Sequence, residues 1–211
     1  MSFARIWQQF RRSTATLALT PGVREAWHQG RRWYHVSLLM IEDPAVQKRL
    51  EQVANALEGA LLPSAPGQPH VTLWVHGFEI PHLHSLENQR VPLRIGAANS
   101  FLSCPFLEVR APELQQLRQS FDGPEERWAS YRPHLTVGRY AGALPTQQLS
   151  RRLRPFRGLP PLQTEGVLRH MCVDAFSEEG RLYPVGSVMG DYRVEGGGRH
   201  LERSHTGLDL R

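Results

Sequence analysis

Lysine, cysteine and long apolar runs are all scarce in this chain. Lys48 is the sole lysine, so 24 of the 25 basic residues are arginine. Two cysteines, Cys104 and Cys172, lie far apart without CxxC or metal-ligand spacing, which excludes a disulfide scaffold or zinc ribbon and fits reduced, structural thiols. No stretch approaches the roughly 18 apolar residues of a membrane span. Arg5, Arg11 and Arg12 interrupt the first twenty residues, where a secretory signal would need an unbroken apolar core. A cytoplasmic protein without a membrane partner is expected. Low-complexity segments and short tandem repeats are absent as well.

What is present is ordinary for a folded enzyme: 211 residues, 40% of them hydrophobic and 21% charged, enough for one sizeable core or two small lobes. A monomer is expected. The net charge of +5 and a pI near 9.8 point to anionic partners. The arginine bias reads two ways. A planar guanidinium suits phosphate recognition, but GC-rich coding produces the same bias, so charge alone supports nucleic acid weakly. The stretches 5–32 and 151–157 are candidate basic faces.

Along the chain, Phe3, Ile6, Trp7 and Phe10 recur at helical spacing, and residues 1–32 read as a helical appendage to a domain spanning 33–190. Residues 33–41 read as a buried strand. Asp43 as N-cap and Pro44 as first helical residue open a helix whose inner face is Val46, Leu50, Val53, Leu57 and Leu61. Residues 68–77 form a strand with Val71, Leu73 and Val75 on one face and His70, Thr72, Trp74 and His76 on the other. Strands at 91–101 and 105–110, a helix from Pro112 bearing Leu114, Leu117 and Phe121, and a second motif strand within 131–140 follow. A helix over 146–156 and strands near 165–176 and 182–188 complete the domain. Residues 191–211, with Gly196 to Gly198, read as a mobile tail.

Two segments say the same thing. Pro69-His70-Val71-Thr72-Leu73 and Pro133-His134-Leu135-Thr136-Val137 share Pro-His-aliphatic-Thr-aliphatic, and each follows a strand and a helix. This suggests two strand-helix-strand halves related by an approximate two-fold, with both histidines presented to one cleft. Such a pair suits phosphodiester cleavage. Opening a cyclic phosphate needs a base to deprotonate water on one side of phosphorus and an acid to protonate the departing ribose oxygen on the other. Two imidazoles, with reference pKa near 6.5, can hold opposite protonation states near neutral pH, each contributing roughly 10²- to 10⁴-fold. The threonine two residues on points the same way and can donate to a nonbridging phosphate oxygen. No metal or other cofactor is needed for this clamp.

With these motifs the sequence resembles the two-histidine phosphoesterase superfamily, nearest to the bacterial 2′-5′ RNA ligase and RNA 2′,3′-cyclic phosphodiesterase group. Residues 70–77 are similar to its first motif, residues 133–139 to its second, and the element order to that of the family over about 33–188. The resemblance implies a bilobal α+β fold with antiparallel sheets around a central cleft, His70 and His134 as catalytic groups, Thr72 and Thr136 as phosphate holders, and an RNA end or small nucleotide phosphodiester as substrate. Reversible ligation would use the same site. Trp74, His76 and a short spacing between motifs depart from the pattern, so substrate size is open. A cyclic dinucleotide, a cyclic ADP-ribose phosphate, a 2′-5′ linkage, or a noncatalytic RNA-binding role stay open too.

Further residues are candidates for contact with substrate. Trp74 and Tyr131 could stack a base, although core packing serves each equally well. Arg132 could reach phosphate, and His35 could line the cleft, although a satisfied core histidine is the simpler reading. Arg139 falls on the face opposite His134. His70, His76, His82 and His84 raise a zinc site, but no acidic residue completes a recognisable ligand spacing and the duplicated threonines would have no part in it.

Overall fold

The computed structural model describes residues 2–17, 32–63, 68–78, 86–121, 131–174, 182–185, 192–194 and 201–203. His28, His82, His84, His200 and His205 lie outside the described residues. So do 18–31 of the expected appendage and the glycines of the expected tail.

Helix α1 (Phe3–Arg12) starts where the Ser2 side chain accepts from the Arg5 N–H. Strand β1 (Trp33–Met40) leads into α2 (Pro44–Ala56), opened as the sequence foretells: the Asp43 carboxylate accepts from Ala45 N–H at 2.8 Å, and Pro44 occupies the first turn. The helix stops at Ala56, short of the Leu57 and Leu61 that continue its apolar spacing, because the chain turns through Gly59 at a φ of 75°. Strands β2 (His70–Gly77), β3 (Arg90–Ser100) and β4 (Pro105–Arg110) follow, then α3 (Glu113–Gln119) and the short β5 (His134–Thr136). Helix α4 (Thr146–Leu153) tightens into a 3₁₀ turn (Arg154–Phe156) before β6 (Leu162–Asp174) and β7 (Leu182–Pro184). Strands β8 (Tyr192–Val194) and β9 (Leu201–Arg203) form a separate ribbon.

The class is mixed α and β with antiparallel pairing. Two separate sheets are not what forms. Seven strands make one sheet in the order β2-β1-β6-β3-β4-β5, with β7 sharing the second edge of β6. The thirteen-residue β6 is long enough to pair β1 on one edge and both β3 and β7 on the other, which joins the halves. The outermost strands of this path, β2 and β5, come into contact with each other, so the sheet curls until its ends meet. Gly166 marks the middle: a Cβ there would stand 2.8 Å from Leu39 Cβ and 3.0 Å from Leu93 Cδ1, so only glycine lets β6 lie against these neighbours.

One apolar cluster sets the register. It gathers Leu39 of β1, Val71 and Leu73 of β2, Leu93 and Ile95 of β3, Leu107 and Val109 of β4 and Leu135 of β5 with Phe10 of α1, Val46, Leu50 and Val53 of α2, Leu114 and Leu117 of α3, and Leu149 and Leu153 of α4. Because strand side chains alternate, burying Val71, Leu73 and Leu135 turns His70, Thr72, His134 and Thr136 away from the cluster. A slip of one residue would exchange the two sets and bury four polar groups, so the core that stabilises the sheet also aims the motifs.

Candidate functional site

The two motifs start their strands in the same way. Proline cannot donate to a sheet ladder and fixes its own φ near −65°. In β2 the Pro69 carbonyl accepts from Ile41 N–H at 2.8 Å, while the Gln68 carbonyl, one residue earlier, meets His70 Nδ1 at 2.9 Å. At the other end of the sheet the Pro133 carbonyl accepts from Val109 N–H at 3.3 Å, and the Arg132 carbonyl meets His134 Nδ1 at 2.7 Å. A carbonyl oxygen only accepts, so Nδ1 carries the proton in both imidazoles and Nε2 is left as the nitrogen for chemistry.

Contact between β2 and β5 brings the histidines into each other's electrostatic range. Burial lowers the pKa of both below the ordinary 6.5, and the carbonyl hydrogen bonds oppose this by favouring the protonated ring. His134 is depressed further by the charge of His70. A like charge on the neighbouring imidazole disfavours double protonation of the pair. Thr72 is half-buried and Thr136 exposed.

Around His134 the ring is fixed by aromatic edges: Phe101 lies 5.2 Å and Phe106 5.3 Å away, centroid to centroid, at steep angles. Neither residue stands out in the sequence, although Phe106 is the register partner of Thr136 and so must share its face. Near His70 the neighbouring row is different. Trp74 packs against Phe121 at 5.7 Å, and the Arg118 guanidinium lies 5.1 Å over its ring and 3.7 Å over that of Tyr131. The two proposed base-stacking residues are thus linked through a buried arginine. The signal for Arg118 was its spacing: it falls on the inward stripe of α3 with Leu114, Leu117 and Phe121. Trp74 Nε1 is buried with no hydrogen-bond partner among the described residues.

Arg132 and His35 are the remaining candidates, and His35 takes the core position of its simpler reading. The Arg132 guanidinium donates to the Tyr131 carbonyl at 2.5 Å, and its backbone oxygen meets His134 Nδ1. His35 is not brought to the histidine pair: it pairs with Gly77, five residues along β1 from the partner of His70, roughly 17 Å at 3.3–3.4 Å per residue. It is 7% exposed, its Nδ1 lies 3.4 Å from Cys172 Sγ, and burial pushes its pKa down to about 4. His76 belongs to the same buried neighbourhood. Its Nε2 lies 2.6 Å from Ser37 Oγ, which also meets His170 Nδ1 at 2.8 Å. Among the described residues no group of three or more His, Cys, Asp or Glu could hold a metal ion, and no helix is long and apolar enough to cross a membrane.

No family model and no curated protein matches the chain. Among solved structures it is similar to TT0787 of Thermus thermophilus, with 15% identity over 68% of this chain and 87% of that one and a TM-score of 0.43.

Proposed function

We propose that the protein is a metal-independent phosphodiesterase of the two-histidine kind that opens 2′,3′-cyclic phosphates on RNA ends or nucleotides. The observation that carries this reading is the repeated anchor: two histidines from opposite ends of one sheet, each with Nδ1 held by the carbonyl two residues back and Nε2 left to react. The units β1–α2–β2 and β4–α3–β5 support their origin as duplicated halves about a pseudo-two-fold axis.

In this mechanism the cyclic phosphate sits between the rings with a nonbridging oxygen accepting from Thr72 and Thr136. Neutral Nε2 of one histidine takes a proton from water as its oxygen attacks phosphorus. The bond from phosphorus to one ribose oxygen breaks, and protonated Nε2 of the other histidine gives that oxygen its proton. Bound phosphate, being anionic, raises both depressed pKa values and supplies the protonated partner that burial alone disfavours. The same steps with a 5′-hydroxyl in place of water, its oxygen attacking phosphorus as the ribose oxygen leaves and is protonated, would join that hydroxyl to the cyclic phosphate.

The test is hydrolysis of a 2′,3′-cyclic mononucleotide, in EDTA, by wild type and by His70→Ala and His134→Ala, with circular dichroism as the check on folding. Loss of turnover in both folded variants supports the reading. Full turnover in either, or none in wild type across cyclic mononucleotides and RNA 2′,3′-cyclic ends, overturns it.

A further inference from the structure

We infer that α1 and α4 together form a docking surface for the backbone of single-stranded RNA, separate from the histidine pair and leading toward it. This deepens the proposed function by naming a polymer as the substrate, and it rests on that reading only for the direction in which the strand is fed.

The two basic stretches of the sequence are far apart in the chain and adjacent in the fold. Just beyond α1, Thr146 Oγ1 donates to the Ser13 carbonyl, Thr146 N–H donates to the Thr14 carbonyl at 3.2 Å, and Thr16 N–H donates to the Leu144 carbonyl at 2.9 Å. At the other end of α4, the Arg157 guanidinium lies 4.7 Å over the Trp7 ring in the middle of α1. The start of α4 therefore lies beside the end of α1 and its finish beside the middle, so the helices run side by side in opposite directions. Ile6 and Phe10 of α1 and Leu149 and Leu153 of α4 face inward. Outward they present Arg5, Arg11, Arg12, Arg151 and Arg154, all exposed, with Gln8, Gln9, Gln147 and Gln148 among them.

No acidic residue lies within either of the two stretches that form this surface. None occurs before Glu25, and none between Glu126 and Glu165. None of those five arginines takes part in an ion pair among the described residues. Arg152 and Arg157 are different: Arg152 donates to the Ala56 and Glu58 carbonyls, and Arg157 pairs with Glu108 at 2.8 Å. Helix dipoles favour cations at C-terminal ends, which suits Arg11, Arg12 and Arg151, but Arg5 stands in the first turn of α1, where a cation is disfavoured and no acidic residue offsets it. A ligand with repeating negative charge accounts for it.

Nucleic acid fits this face better than a lipid surface. The apolar stripe that an interfacial helix would insert is here buried in the protein core, and Leu17 and Leu62 are the exposed large hydrophobics among the described residues, neither within these helices. Glutamines between guanidinium groups add hydrogen bonds to phosphate and ribose. The start of α1 lies near the site: Phe3 stands 6.1 Å from buried Phe106, centroid to centroid, and Phe106 flanks His134.

The experiment is fluorescence anisotropy of the full chain with a labelled single-stranded RNA of about ten nucleotides ending in a 3′-phosphate, comparing wild type with Arg5→Glu/Arg12→Glu/Arg151→Glu. Affinity is expected to fall at least about tenfold at 100 mM salt, and the dependence of log K on log salt to flatten by about 2, the slope for three phosphate contacts to a single strand. Turnover of a cyclic mononucleotide by the triple variant is expected to stay within twofold of wild type. Unchanged RNA affinity in the triple variant overturns the surface, as does tighter binding of wild type to phosphatidylserine vesicles than to RNA. RNA affinity retained by His70→Ala/His134→Ala keeps the two proposals distinguishable, because failure of catalysis would leave the binding result standing.

Discussion

Strands β2 and β5 carry one motif in two settings. β2 runs eight residues, is bulged against β1, and continues past Thr72 into Trp74 and His76, which pack against Phe121. β5 lasts three residues, and its histidine is held by aromatic edges from Phe101 and Phe106. What stays constant is the proline, the carbonyl anchor on Nδ1 and the alternation that places threonine beside histidine. These constants are the parts the proposed chemistry would use. The variable parts surround them: one strand extends into a row that can shape a ligand, and the other ends at once and uses its neighbours for ring orientation.

The largest expected effect breaks the comparison outright. His70→Ala and His134→Ala should each lower kcat/KM for a 2′,3′-cyclic nucleotide by about 10²- to 10⁴-fold, in steady-state assays. A loss confined to one of them would show that the second strand holds a structural copy. Next come the hydroxyls: Thr72→Ala and Thr136→Ala should each cost about 10²-fold, chiefly in kcat, while Thr→Ser retains most activity. A larger loss at the half-buried Thr72 than at the exposed Thr136 would rank the two settings by how dry they are.

Titration sharpens the contrast further. Both histidines should titrate below 6.5 in the free protein, and the His134 step should respond to the charge of His70. Proton NMR of the ring C–H signals reads this directly, and His70→Gln should move the His134 midpoint upward. The acid limb of kcat/KM should accordingly lie below 6.5, since the base must be neutral.

A smaller effect belongs to the neighbouring pair His35 and His76, each held to about 4 by burial. Their unfolded pKa is near 6.5, so between pH 6.5 and 4 the unfolded chain binds more protons and stability rises with pH. The contribution is complete above 6.5 and is lost as pH falls toward 4. Thermal melts should show Tm dropping by several degrees over that window, with little change above pH 7.

Most local structure was legible because short-range rules wrote it. Asp43-Pro44 opens α2, Val71 and Leu73 face inward, and Pro112 lies at the start of α3, all from spacing and capping chemistry. Long-range results were not legible. That β6 would join both halves into one sheet depends on its length relative to partners the sequence does not pair. For His35 the core reading and the cleft reading both stand open in the sequence, because alternation says which face a side chain takes and is silent on how far along the strand its partner lies. Arg118 is polar on an apolar stripe, and only the fold shows that Trp74 and Tyr131 receive it.

Gly166 sits under none of this chemistry, yet the curl of the sheet passes through it. The histidines are joined by no covalent or hydrogen-bonded shortcut among the described residues; the gap between them is the closing error of a six-strand ring, the sum of small rotations from strand to strand. A methyl group at position 166 would press on Leu39 of β1 and Leu93 of β3, so the strands on either side of β6 would have to shift at the middle of the sheet. If the histidine pair holds a phosphate as proposed, the width it accepts depends on this crowded backbone contact as much as on the residues that touch the ligand.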